Sequence, residues 1–126
     1  PADDPMGGGL TDVDLDALGG TVQAPASEDA DGGAFNFTDD RAAQSFTDIT
    51  NFGADDELTL TGGVTAEDLE NGISSSTDDS GTDITEIQFT DGGGTISQIT
   101  LVGVEGFFFN VDSFNSDPDL GNITFA

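Results

Sequence analysis

Carboxylates make up nearly the whole reactive inventory of this chain: 26 Asp or Glu stand against one basic residue, Arg41, and His, Cys, Lys, Tyr and Trp are all absent. The usual general bases, thiol nucleophiles, Schiff-base amines and soft-metal ligands are therefore missing. Carboxylate, hydroxyl, amide and backbone oxygens remain, the ligand set preferred by hard cations, with calcium the first suspect. The candidate metal ligands are Asp48, Asp55 and Asp56, around a Gly-containing turn, and the alternating Asp12, Asp14 and Asp16. Adjacent carboxylates in a tight turn repel one another unless a cation or solvent screens them. The second group is no EF-hand loop, because Ala17 and Gln23 stand where that loop requires Gly and Glu. It reads first as an acidic strand edge that discourages aggregation, and second as a calcium site completed by a neighbouring chain's oxygens. Paired carboxylates also serve glycosidases, but the sugar-stacking Trp and Tyr are lacking, so no enzyme is expected.

The net charge, −26 + 1 = −25, excludes other partners. Nucleic acid is held through Lys and Arg on phosphate, and one Arg cannot supply that attraction. An anionic membrane surface repels the chain, and no stretch approaches the ~20 apolar residues needed to span a bilayer. At 126 residues with 34% hydrophobic content a single domain with a modest core is expected. With no disulfide available, such a domain depends on counterions, metal or neighbours for rigidity.

The elements that position the carboxylates are mostly strands. Residues 1 to 34, broken by Gly7-Gly8-Gly9, Gly19-Gly20, Pro25 and Gly32-Gly33, read as a flexible Gly/Asp-rich arm. Within it Leu10 to Leu18 suits either one helical turn or a short strand. From residue 35 to 126 a β domain follows: Phe35 and Phe37 alternate, and Phe46, Ile49 and Phe52 lead to Leu58 and Leu60. Thr65 to Gly72 reads as a short helix with Thr65 as cap and Asp68 as its box partner. Ser74 to Gly81 reads as a polar loop. Ile84 to Phe89 and Ile96 to Val104 form a hairpin around Asp91-Gly92-Gly93-Gly94, and Ile123 to Phe125 forms a last strand. The expected fold class is all-β, a small antiparallel β-sandwich or β-roll-like domain with one short helix and an extended N-terminal arm.

Two blocks carry a resemblance. Ser45-Phe46-Thr47-Asp48-Ile49-Thr50-Asn51-Phe52-Gly53-Ala54-Asp55-Asp56-Glu57-Leu58-Thr59-Leu60 resembles the I-x-D-F-x-x-G-x-D-x-I-x-L segment of RTX-type bacterial proteins. Ile87 to Ile96, Ile99 to Val104 and Asp112-Ser113-Phe114 resemble the strand, glycine turn, return strand and ending of the same C-terminal modules. The nonapeptide calcium repeat of those proteins is nowhere intact. The resemblance implies a C-terminal module of a type I secreted, extracellular protein that responds to calcium.

Phe107-Phe108-Phe109, read as a strand, must point to both faces, so at least one Phe is expected to leave the core and be covered either by packing between subunits or by the arm of residues 1 to 34. The first functional expectation is thus a non-enzymatic, secreted, calcium-responsive structural protein that pairs with itself into a filament, surface layer or matrix. The alternative is the secretion and folding cap of a larger secreted toxin, protease or adhesin.

Overall fold

A computed structural model describes residues 11–18, 20–21, 23–31, 34–70, 72–90, 93–104, 108, 110–118 and 120–126. Among these residues nine strands form two sheets. In chain order they are β1 (Thr11–Asp14), β2 (Ala26–Asp29), β3 (Phe35–Asp40), β4 (Ser45–Thr50), β5 (Glu57–Thr61), β6 (Ile73–Thr77), β7 (Asp83–Thr90), β8 (Ile96–Val102) and β9 (Ile123–Phe125), with one helix, α1 (Val111–Asn115), before the last. The four-stranded sheet has the order β1-β3-β5-β9 and the five-stranded sheet the order β2-β4-β8-β7-β6.

From β1 to β6 successive strands alternate between the sheets, β6, β7 and β8 then share the larger one, and β3, β4, β5, β8 and β9 each lie beside an earlier strand in the same direction. Pairings β1 with β3, β3 with β5, β5 with β9, β2 with β4 and β4 with β8 are all parallel. The path is a coil: β1 and β2 form the first rung, β3 and β4 the second, β5 and β8 the third, and β9 begins a fourth. Only β6-β7-β8 is antiparallel, the expected hairpin extended by one strand. The antiparallel sandwich is therefore corrected to a mainly parallel, roll-like arrangement. Strand β6 takes in Ser74 to Thr77, the first part of the expected polar loop, because Ile73 and Ser75 pair against Ile87 and Thr85.

Residues 11 to 31, expected as an arm, supply the first rung. The alternation of β1 turns Val13 inward beside Phe37, and Leu15, in the 3-10 turn Leu15–Ala17, is fully buried. Parallel stacking then aligns like residues in rows. Val13, Phe37, Leu58 and Ile123 sit in register across one sheet, and Ala26, Thr47, Ile99, Ile87 and Ile73 across the other. The inward residues of both sheets belong to one continuous core. Each Leu, Ile or Phe fully buried there contributes roughly 1.5–3 kcal/mol.

The corners close the core. The Thr65 cap is present, with the Thr65 N–H donating to Asp68 Oδ2 at 3.0 Å, although the segment Ala66–Leu69 is 3-10 rather than α. The α1 helix is capped by Asn110, whose Oδ1 accepts from the Ser113 N–H at 2.9 Å. Phe114 on α1 fills the core beside Phe52, and Phe52 in turn meets Phe37.

Candidate functional site

Two places in this coil concentrate polar groups in unusual surroundings: an acidic corner between the first two rungs, and the end strand β9.

The corner follows from alternation and stacking. Phe35, Phe37 and Asp39 are successive inward residues of β3, so Asp39 enters the core with no exposed surface. The 3-10 turn Leu15–Ala17, capped by Asp14 through a 3.0 Å bond from the Asp16 N–H, brings Asp16 directly over it. Asp16 Oδ2 accepts from the Asp40 N–H at 2.7 Å, and its carboxyl is hydrogen-bonded to that of Asp39. The Ser45 hydroxyl, across the corner on β4, lies 2.9 and 3.0 Å from the two Asp39 oxygens.

Burial pushes the Asp39 carboxyl up to about 8, reinforced by its bond to Asp16 and opposed by Ser45. Burial likewise raises Asp16, against its bonds to Asp39 and to the Asp40 backbone. Asp16 Oδ1 is shut off from solvent, and among the described residues no N–H or hydroxyl reaches it. Two carboxylates in contact repel each other, and burial removes the water that would screen them.

Several expected ligand groups serve other ends. Asp12, Asp14 and Asp16 do not share a strand face, because β1 ends at Asp14 and Asp16 turns inward. Asp12 Oδ1 instead accepts from Asn36 Nδ2 at 3.2 Å. Asp56 is buried, and its two oxygens accept from the N–H groups of Phe35 (3.0 Å) and Gly53 (2.9 Å), fastening the corner before β5 to the start of β3. Burial raises its pKa against those two bonds. Asp55 is exposed, and Asp48 is a half-buried outward residue of β4 whose pKa burial raises. The turn therefore does not gather Asp48, Asp55 and Asp56 around one point. Among the described residues no group of three or more Asp or Glu is arranged to hold a metal ion.

Phe108 likewise departs from expectation. It is buried against Phe114 of α1, with ring centroids 5.1 Å apart. It is core, not a subunit contact; Phe107 and Phe109 lie outside the described residues. A shallow cleft of about 240 Å³ lies between the Ala66–Leu69 turn and α1, lined by Ala66, Glu67, Glu70, Asn110, Val111 and Asp112. It is smaller than most ligand pockets.

At the other end of the coil, β9 pairs with β5 through alternate residues: the Leu58 N–H donates to Asn122 O (2.9 Å) and the Ala126 N–H to Leu60 O (3.1 Å). Ile123, between them, turns its backbone outward. There the Asn115 side-chain amide meets it on both sides, Oδ1 accepting from the Ile123 N–H at 2.7 Å and Nδ2 donating to Ile123 O at 3.0 Å. One amide thus replaces the next strand. At the opposite end, among the described residues, β1 and β2 are paired on one side only. Their sequences, TDVD and ASED, carry two acidic residues each, whereas β9 (ITF) carries none.

Sequence reasoning missed Asp39 and Asn115. The inward alternation Phe35, Phe37, Asp39 was the available signal for the first; for the second, Asn110-x-x-Ser113 marked a helix start. No helix among the described residues is long and apolar enough to cross a membrane. No protein-family model, curated protein or solved structure matches the chain.

Proposed function

We propose that this is a non-enzymatic structural module that ends a parallel β coil, taking a preceding rung on its β1/β2 edge and closing the far end at β9. The observation that carries this reading is the paired hydrogen bond of Asn115 to Ile123, which occupies the outer edge of the last strand. An open edge invites pairing with another chain, and natural proteins blunt such edges deliberately. With β9 occupied at Ile123 and the β1 and β2 edges free, the domain suits the cap of a larger assembly better than the repeating unit of a filament.

The secreted, extracellular setting rests on the resemblance to RTX-type C-terminal modules. Calcium enters as the ion that screens repulsion between acidic surfaces, with exposed carboxylates such as Asp55 as its points of contact.

Light scattering on the wild type and on Asn115→Ala, in millimolar calcium and in chelator at equal ionic strength, tests the reading. The wild type is expected to stop at a monomer or dimer in both conditions. Freed at Ile123, Asn115→Ala is expected to grow into longer species when calcium screens the charge. Open-ended growth of the wild type, or a variant that never grows, counts against the capping role.

A further inference from the structure

The acidic corner supports an inference that needs no partner chain. We propose that Asp16 and Asp39 share one proton at neutral pH, and that this proton latches the first rung onto the second until mildly alkaline solution removes it. The geometry calls for a donor. Among the described residues no N–H or other hydroxyl reaches the sealed Asp16 Oδ1, Asp39 is fully buried and bonded to the Asp16 carboxyl, and the Ser45 hydroxyl has only one hydrogen to give. A proton on Asp39 fills that gap; on deprotonation it passes to buffer and leaves two carboxylates in contact.

Among the described residues no cationic side chain faces them. The charged groups around the pair are Asp14 and Asp40, both carboxylates. Arg41, the next residue, is turned to Asp68, with Nη1 3.1 Å from Oδ2. The same contact joins the rungs, since Asp16 belongs to the first and Asp39, Asp40 and Ser45 to the second.

A carboxyl whose pKa is raised by folding binds its proton more tightly folded than unfolded. Stability is therefore greatest below the unfolded value, 3.8, falls as pH rises toward about 8, and is level above that. Composition makes this visible. Ordinary carboxylates are fully ionised by about pH 6, and a chain without His, Cys, Lys or Tyr has, apart from carboxyls raised by burial, no side chain titrating from there to about pH 11.

Urea unfolding followed by circular dichroism, across about pH 6 to 9 in chelator, reads this term directly. In the wild type the unfolding constant is expected to rise with pH, by up to tenfold per unit below about pH 8. In Asp39→Asn, whose amide supplies the missing donor permanently, the slope is expected to vanish. Asp16→Asn, which removes the other carboxylate, is expected to shrink it, and serves if Asp39→Asn fails to fold. Hydrogen exchange, corrected for its intrinsic pH dependence, is expected to accelerate in residues 11–31 ahead of the rest above about pH 8. A flat wild-type profile, a slope that survives both substitutions, or exchange that accelerates uniformly would each overturn the latch. Calcium that flattens the wild-type slope would overturn it too, by assigning the corner to a cation.

Discussion

Gly121→Ala is expected to be among the most damaging single substitutions in this domain. Gly121 lies where the chain turns into β9, and its N–H donates to Gly53 O at 3.0 Å. A Cβ there would fall inside the Asp56 carbonyl group, so backbone rather than a flexible side chain would have to move. That backbone is fastened on both sides, because the Asp56 carboxylate ties Gly53 to Phe35 and because β5 starts at the next residue. Overpacking of a fixed core costs about 1–3 kcal/mol, and more where nothing can give, so a loss of about 3 kcal/mol is expected. On a typical total stability of 5–15 kcal/mol this lowers the melting temperature by on the order of 10 °C. Gly63→Ala is the control: it has φ +89 but open space around it, so it carries only the cost of the left-handed backbone, roughly 1 kcal/mol. Thermal unfolding of the two variants beside the wild type checks both figures; equal losses would show that space at Gly121 is not the limiting factor.

Phe114→Ala is expected to cost about 3–5 kcal/mol and to open the capped end before the rest of the coil. Phe114 is fully buried within the ring series Phe37, Phe52, Phe114 and Phe108. The α1 helix has only five residues, far below the length at which a helix stands alone, so packing of Phe114 and Val111 holds it. Losing that anchor also displaces Asn115, the residue following Phe114 in the chain. Denaturant unfolding should report the global loss. Hydrogen exchange should report accelerated opening at Ile123 at denaturant concentrations that leave β3, β4 and β8 protected. Uniform acceleration would mean that α1 and the sheets unfold as one unit.

These two residues also mark what the sequence conveys and what it hides. Alternation made the strands around Phe37, Leu58, Leu60, Ile87 and Leu101 legible, and the glycine turn made the β7-β8 hairpin legible, because both signals are local. The Thr65 cap with Asp68 was legible for the same reason. Strand direction was not: Phe37 pairs with Leu58, and Leu58 with Ile123 across 65 positions, with nothing between them that records which way the partner runs. The first rung was hidden by its glycines and by its acidic outward residues, which resemble loop composition until Val13 and Leu15 are seen to enter the core. Of the candidate ligands, Asp56 became a backbone fastener and Asp16 a partner for Asp39. The side chain that each carboxylate meets is set by parallel stacking, which short-range spacing does not encode.

The central claim, a coil open at β1 and closed at β9, is tested most directly by residue-resolved amide exchange on the wild-type chain. The N–H groups at the outer edge of β1, those of Asp12 and Asp14, alternate with the Thr11 N–H that donates to Ala34 O, and are expected to exchange freely. The Ile123 N–H, equally far out on β9 but bonded to Asn115 Oδ1, is expected to be protected. An Ile123 amide exchanging as fast as that of Asp12, or an Asp12 amide as slow as that of Ile123, would contradict it.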